Sequence, residues 1–393
     1  MPLDYLSVKQ QIQKVARRAP AEQERMQQLR QQARDLLNQQ AHNGAELCAK
    51  VELAASRDSA LRAAKPGKEA LTQSFLCPAP LEQSSVIAAD GSQISPSRHE
   101  AVNYFLINVG AIHMHPGSGD APNTHTFSDL HVQKYGEGGS FGNDQVGQMR
   151  DKAERLRLVE MVGEAQIQPA ITLVDGPLEL WGGRDRDPAQ QAGFLKNLEE
   201  YLDALKQTQA LGALTAGYED KSRRDLVVRC LEIGQLPREQ IEGGRFERGL
   251  RGVLDRDLFA DLLAPGERSA VIEIQHQFAE KYYAGPLALH CFYLKIGREE
   301  AYELARVEVP GWVAEDTEAL DAVHATLVEQ CRLTGSRPYP YALHRAHEIA
   351  VVSHEERKQV TQMLMAGLQA AGVDVGTISN KQALKELERR AGW

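Results

Sequence analysis

The sequence predicts an α/β fold, in which a mixed sheet is flanked by helices and a helical arm comes first. Three strand-like runs follow one another between about residues 84 and 134, and a helix-like segment comes next. The run "PAITLVD" that follows lacks polar alternation, which is typical of a strand at the centre of an α/β sheet. Helix-like and strand-like segments then alternate. Strands in series followed by alternating elements indicate a layered α/β domain.

The N-terminal part reads differently. Residues from about 5 to 63 are polar and helix-forming, and one apolar stripe recurs at helical spacing through Met26, Leu29, Ala33 and Leu36. Pro20 stands where a second helix would start, so we expect a break between two helices there. The stripe is either an ordinary packing face or a contact with a second protomer or a partner. We expect residues 1–80 to form an arm and connector, and residues 81–393 to form the main domain.

Bulk composition excludes several classes of protein. The net charge of −9 argues against a protein that simply coats nucleic acid, but not against a nuclease, because bound cations reverse the potential at a site. Five scattered cysteines form no CxxC pair, which argues against a structural zinc site and a disulfide framework. No apolar run is long enough for a membrane span, and the N-terminus carries no secretory pattern. A cytoplasmic protein without membrane contact is expected.

Two apolar runs are predicted to be strands that each end at an acid followed by glycine, at Asp90-Gly91 and at Asp175-Gly176. An Asp-Gly pair alone is also a common turn signal. The helix between the two runs carries Glu154 and Glu160. Carboxylates that converge from different elements can hold one or two Mg²⁺ or Mn²⁺ ions. A pair of such ions can cleave phosphodiesters.

Late in the chain, "YPYALHRAHEIAVVS" places His344 and His347 at the start of a helix. A histidine on a helix is usually an ordinary surface or core residue. No HExxH pattern indicates zinc.

The order of these motifs resembles the NurA family of nucleases. It runs from strand-"DGS" through "NVGAI", "RLRLVEM", "LVDGPL", "AGYEDKSRRDLVVR", "HCFYLKI" and "ARVEVPGW" to "YPYALHRAHEIAVVSHEER". The resemblance covers the chain from about Ser84 to its end. Its one visible departure is "DGP" where "DGS" is common, so that Pro177 offers no hydroxyl.

The resemblance implies an RNase H-like fold and Mn²⁺-dependent cleavage of DNA, with Mg²⁺ as an alternative and two ions per site. It also implies 5′→3′ exonuclease and single-strand endonuclease activity, a homodimer, and work on DNA ends with a HerA-type hexameric ATPase. Asp90 and Asp175 match the family's metal-binding aspartates, and His347 matches its late histidine, a candidate metal ligand or general acid or base. The family's helix glutamate falls best on Glu160, with Glu154 as the alternative.

Several rival functions are weaker. An aspartyl phosphatase would need a second acid two residues after Asp90, where Ser92 stands, and a serine hydrolase would need G-x-S-x-G, which is missing. No P-loop is present, so any ATPase activity belongs to a partner. A non-catalytic scaffold that docks a translocase, and a phosphoesterase with another substrate, stay open. Arg245, Arg248 and Arg251 are the candidate DNA contacts in an otherwise acidic chain.

Overall fold

The computed structural model describes residues 3–97, 102–132, 142–182, 187–244, 246–335 and 337–373. The strands are β1 Ala63–Pro66, β2 Ser74–Phe75, β3 Ser85–Ile94, β4 Tyr104–Met114, β5 Asn123–Val132, β6 Ala170–Asp175, β7 Leu214–Glu219, β8 Arg268–Ser269, β9 Ile272–Gln275, β10 Leu289–Arg298 and β11 Ala301–Pro310. The helices are α1 Tyr5–Gln40, α2 Gly44–Arg57, α3 Asn143–Glu164, α4 Pro188–Ala210, α5 Leu226–Gly234, α6 Arg238–Glu242, α7 Asp255–Phe259, α8 Gln277–Tyr282, α9 Gly311–Ala314, α10 Thr317–Leu333, α11 Tyr341–Ala350 and α12 His354–Ala370.

The chain divides into two compact units. The first unit contains Met1–Ala79, Tyr218–Cys331 and Gly335–Pro338, and the second contains Pro80–Gly217, Arg332–Thr334 and Tyr339–Trp393. This division differs from an arm of residues 1–80 ahead of one domain. The reason is that a long later stretch of chain packs with the N-terminal helices instead of with the strands that follow them.

The second unit is a mixed sheet with helices on both faces. Its strand order is β5-β4-β3-β6-β7, in which β3, β4 and β5 are antiparallel neighbours and β6 runs parallel to β3. Helix α3 packs on one face of β3 and β4, and α11 packs on the other. The predicted mixed sheet flanked by helices is therefore confirmed, and it has the RNase H-like arrangement that the resemblance implies.

The Asp-Gly pair in β3 is neither a turn nor the end of the strand. β3 continues to Ile94, with Asp90 opposite Gly110 and Gly91 opposite Val109 in β4. The prediction that the strand stops at Asp90 is wrong for β3, because β4 pairs with it along its whole length. The neighbour β6, in contrast, does end at its aspartate, Asp175.

The first unit contains the N-terminal helices and a second set of strands. Within it the strand order is β1-β9-β10-β11, with β2 and β8 attached at β10. Helix α2 packs on α5, α6 and β1, and α1 packs on α5 and α7. The segment between residues 236 and 286, for which the sequence pattern predicts no clear elements, contains α6, α7, β8, β9 and α8.

Helix α1 corrects two expectations about the arm. It runs unbroken through Pro20, so the predicted break is wrong. A helix of this length keeps hydrogen bonds on both sides of the residue that lacks an N–H, and it loses only one of many. The stripe near Ala33 and Leu36 is buried within the first unit, while Met26 packs beside Gly252. That part of the stripe is an internal packing face.

Helices α10 and α11 are followed by a further helix, α12, in the last part of the described chain. Helix α12 packs its Val360 and Leu364 against a cluster around Tyr104 on β4. None of the helices in the described ranges is both long enough and apolar enough to cross a membrane.

Candidate active site

β3 and β6 bring two aspartates side by side in the second unit. Ala89 lies opposite Val174 in the parallel ladder, and the next residue on each strand is an aspartate, Asp90 and Asp175. Neighbouring strands are about 4.8 Å apart, so the two carboxylates leave the sheet from adjacent positions. Gly176 follows with a φ of 89°, a left-handed conformation that glycine adopts without strain and that ends β6 at its acid.

Helix α3 places Glu154 against the same point of β3. A Cβ atom on Gly91 would lie 2.6 Å from Glu154 Oε1, so only a glycine leaves room for this carboxylate beside Asp90. Gly91 has no unusual backbone angle, and it is the close approach of α3 that requires a glycine there. The Glu154 side chain is only 10% exposed. Burial, and then the charges of Asp151 and Asp90, raise the pKa of Glu154 well above its ordinary value.

Glu160, the glutamate that the resemblance favoured, lies elsewhere on α3. Six residues on, it is about 9 Å further along the helix and about 120° round it. Its carboxylate accepts two hydrogen bonds from Arg157 Nη1, at 2.9 and 2.6 Å, and its side chain is 53% exposed. The geometry thus favours the alternative, Glu154, and which of the two binds a metal stays a prediction.

Helix α11 brings His347 to Asp90 from the opposite face of the sheet. His347 Nδ1 donates to Asp90 Oδ2 at 2.7 Å. A Cβ on Gly110, the register partner of Asp90, would lie 2.4 Å from the Ala350 nitrogen and 2.6 Å from the Ala346 carbonyl oxygen. The backbone of α11 therefore rests directly on a bare position of β4, which lets His347 reach the aspartate.

The end of α11 is held by polar side chains of the sheet. Asn108 Nδ2 donates to the Ala350 carbonyl oxygen at 2.8 Å, and Ser92 Oγ donates to the same oxygen. Ser128 Oγ in turn donates to Asn108 Oδ1 at 2.7 Å. These bonds satisfy a carbonyl at the helix end and fix the helix against β3 and β4. The serine of "DGS" thus has a structural role that the sequence did not reveal.

A positively charged side chain, Arg150, lies close to these acids. Arg150, one helical turn before Glu154, has its Nε 3.6 Å from Glu154 Oε1, and it donates to Asp151 Oδ1 through Nε and Nη2, at 3.2 and 2.8 Å. Burial lowers the pKa of the Arg150 guanidinium, and the charges of Asp151, Glu154 and Asp90 more than offset this, so that the pKa is raised. Sequence reasoning missed Arg150, although its spacing of four residues from Glu154 could have indicated it.

The donor types in this group fit a hard divalent cation. Asp90, Glu154 and Asp175 offer carboxylate oxygens, which suit Mg²⁺ or Mn²⁺, and His347 offers a ring nitrogen. Among the residues that the structure describes, no three His, Cys, Asp or Glu side chains are grouped so that they could hold one ion.

The candidate DNA contacts have different positions. Arg245 lies outside the described residues. Arg248 belongs to the first unit, where its guanidinium pairs with Asp225 and lies 3.7 Å from Glu232 Oε2. Arg251, in the same unit, is exposed.

The family model described as the NurA domain matches residues 84–352, more than half of the chain. The chain belongs to the NurA family. Its match begins one residue before β3 and ends two residues after α11, so it spans every element that carries the candidate site. NurA membership supports a nuclease function.

Solved structures resemble this NurA chain at low identity. A NurA crystal structure with manganese has 10% identity and a TM-score of 0.43, and the match covers 75% of this chain and 91% of the other. A NurA bound to dAMP and manganese has 12% identity and a TM-score of 0.35, with coverages of 74% and 90%. The catalytic domain of human endonuclease V has 12% identity and a TM-score of 0.31, with coverages of 72% and 84%. No curated protein sequence matches the chain.

Proposed function

We propose that this NurA chain is a deoxyribonuclease that depends on divalent metal ions, with Asp90, Glu154, Asp175 and His347 as its working residues. The observation that carries the proposal is the meeting of three elements at one point of β3. Asp90 has α3 with Glu154 on one face, α11 with His347 on the other, and Asp175 on the neighbouring strand. Such a cluster of acids has no evident structural purpose, because like charges repel when they are brought together.

The three carboxylates would hold two ions, Mn²⁺ by preference and Mg²⁺ as an alternative. The chemistry that bound divalent cations supply is activation of the attacking water and stabilisation of the leaving oxygen. Asp90 lies next to Asp175 in the sheet and is bonded to His347, so it would hold the ions together with the other carboxylates. Buried Glu154, which is costly as a free carboxylate, gains a partner when a cation is present.

His347 would hold or move a proton at the edge of this group. Its Nδ1 is fixed by Asp90, which leaves Nε2 on the opposite side of the ring for substrate, water or an ion. The side chain is 64% exposed, so Nε2 is within reach of a polymer that arrives from solvent. The bond to Asp90 sets the ring orientation, as second partners of catalytic histidines commonly do.

The finer activity follows the family. We propose 5′→3′ exonuclease and single-strand endonuclease activity on DNA ends, a homodimer, and a HerA-type hexameric ATPase as partner. A motor would compensate for weak intrinsic affinity, because an acidic chain neutralises few phosphates. Arg251 and Arg248 are proposed phosphate contacts, with Arg251 the better candidate because Arg248 is already paired with acids.

The deciding experiment incubates the full chain with 5′- and 3′-labelled single- and double-stranded DNA, with Mn²⁺, with Mg²⁺ or with chelator. Asp175→Asn removes one proposed ligand, and Asp203→Asn is the control, since Asp203 only pairs with Lys206 on α4. We expect metal-dependent cleavage by wild type and control, and none by Asp175→Asn. Equal cleavage by all three would place the site elsewhere. No cleavage by any of them, on any of the four DNAs, would favour a non-catalytic scaffold that docks a translocase.

A further inference from the structure

Arg150 lies beside the acids of the candidate site, with its Nε 3.6 Å from Glu154 Oε1 and its charge felt at Asp90. Its side chain crosses the bare backbone of Gly91, since a Cβ there would lie 2.5 Å from Arg150 Cγ and 3.0 Å from Cδ. The same Cβ would lie 2.6 Å from Glu154 Oε1. Because Gly91 has no side chain, both Glu154 and Arg150 fit beside Asp90.

A second arginine, Arg155, also lies near Glu154, but it is anchored. Its Nε donates to Tyr201 on α4 at 2.9 Å, and its side chain is buried. Arg150, in contrast, is 35% exposed, and its partners Asp151 and Glu154 lie on its own helix. Of these two arginines, only Arg150 can leave without disrupting the packing between α3 and α4.

We infer that Arg150 is the built-in counter-cation of this site: it neutralises Asp90 and Glu154 while no metal is bound, and it turns outward to bind a DNA phosphate when metal ions load. The inference rests on the proposed function, since it concerns the same metal-binding acids. Clustered carboxylates are suited to a compact divalent ion, and the side chain of Arg150 would give way to such an ion. A released guanidinium beside the ions is suited to phosphate, to which it can donate two parallel hydrogen bonds.

Arg150 pairs with Glu154 at 3.6 Å, and the charge of Asp90 is among those that raise the pKa of Arg150. The arginine thereby prevents the repulsion that would otherwise destabilise the unloaded site.

The test measures Mn²⁺ binding without DNA, by the loss of the free Mn²⁺ paramagnetic resonance signal. Arg150→Met removes the charge and keeps an apolar stem over Gly91. Arg157→Met is the matched control, because Arg157 is on the same helix, is equally exposed, and pairs with Glu160. We expect Arg150→Met to bind Mn²⁺ roughly three- to tenfold more tightly than wild type, as loss of a partly exposed competing pair implies. Arg150→Lys and Arg157→Met should bind as wild type does.

A second readout is cleavage kinetics at saturating Mn²⁺. Arg150→Met should raise KM for single-stranded DNA with a smaller effect on kcat, because a phosphate contact is lost while the ions are retained. The inference is overturned if Arg150→Met, folded by its thermal unfolding curve, binds Mn²⁺ equally or less tightly than wild type. Should that variant not fold, Arg150→Gln is measured against the same criterion. If neither the wild type nor any variant binds Mn²⁺, the proposed function itself fails, which is a different result.

Discussion

His347 Nδ1 donates to Asp90 Oδ2 across 2.7 Å, although 257 positions of sequence separate the two residues. The bond joins α11 to β3 at the position where the carboxylate of Asp175 also emerges. The bond links β3 to a helix that packs on the opposite face of the sheet from α3. Its presence therefore indicates that the elements of the site are assembled.

The first prediction concerns this pair. Asp90→Asn should reduce kcat by about 10²–10⁴-fold, since a lost metal ligand costs several kcal/mol of barrier. His347→Gln should also reduce kcat, and the double variant should be little worse than Asp90→Asn alone, because the two act as a unit. Single-turnover cleavage of labelled DNA measures all three. His344→Gln, on the same helix and exposed beside Glu348, should cleave normally. Additive losses would show that the two residues act separately.

The second prediction separates the two glutamates of α3. Glu154→Gln should abolish metal-dependent cleavage, because this carboxylate is the one beside Asp90. Glu160→Gln should retain most of the activity, since it breaks only an exposed pair with Arg157. Cleavage rates at saturating Mn²⁺, compared with thermal unfolding curves, decide the matter. Activity in Glu154→Gln together with loss in Glu160→Gln would restore the assignment that the resemblance favoured.

The third prediction is a dependence of stability on pH in the absence of metal. The pKa of Glu154 is raised in the folded protein, mainly by burial and then by Asp151 and Asp90. The folded state therefore binds this proton more tightly than the unfolded state does. Its contribution to stability is present below the ordinary carboxyl pKa and is lost as pH rises above it. With chelator present, Glu154→Gln should lose less stability than wild type between acidic and neutral pH. Parallel melting curves across that range would contradict the prediction.

As a second part of the third prediction, the stability of the same site should respond to metal. Mn²⁺ binds the folded chain, so it should raise the melting temperature of wild type in proportion to the logarithm of its concentration above Kd. Asp175→Asn should lose most of this shift, while Asp203→Asn should keep it. An identical shift in both variants would show that Mn²⁺ binds elsewhere.

The fourth prediction tests the bare position on β4. Gly110→Ala would place a methyl group against the backbone of Ala346 and Ala350, which cannot move without shifting α11. We expect a loss of about 1–3 kcal/mol of stability, as for other overpacked sites, together with a fall in cleavage as His347 moves from Asp90. Gly163→Ala on α3 is the control, because nothing lies within 4 Å of its added Cβ. It should be neutral or should stabilise the helix by about 0.5–1 kcal/mol.

The fifth prediction concerns truncation of the N-terminal arm. Removing residues 1–63 should unfold the first unit, because that segment includes buried Leu36, Leu47 and Val51. Removing residues 1–15 should leave the melting temperature nearly unchanged, since Ile12 and Val15 in that segment are exposed. If the shorter truncation still responds fully to a HerA-type ATPase, that end of α1 is not the docking surface. A stable, active protein that lacks residues 1–63 would contradict the packing described for α1.

The sequence predicts much of the second unit, because buried strands without alternation and long amphipathic helices depend on local patterns. It also places each aspartate on a buried strand, although only β6 ends at its acid. It fails where the answer depends on which face of a helix is buried. The apolar residues Ala153, Leu156 and Val159 recur at helical spacing along α3, yet Leu156 is exposed and Glu154 is buried. Hydrophobic periodicity does not predict that a helix buries an acid, because burying a charge is unfavourable unless the charge is paired or hydrogen-bonded.

The grouping of the two units is also beyond local pattern. Strand β1 pairs with β9, about 200 residues later, and nothing in either short segment specifies the other. Pro20 misled for a related reason, since a local rule for helix ends gives no weight to the length of helix on either side.

Gly91 and Gly110 have a consequence for how such proteins are found. Both positions require a residue without a side chain. At Gly91 the space is taken by the side chains of Arg150 and Glu154 from α3, and at Gly110 it is taken by the backbone at the end of α11. Motif searches usually reward the residues that do chemistry, and aspartates at strand ends are too common to be selective. A search for distant relatives could instead score two glycines at fixed positions. One directly follows an acid on a strand, and the other lies opposite that acid on the neighbouring strand. Divergent chains that kept this acid and both glycines, but changed the residues around them, would then be recovered.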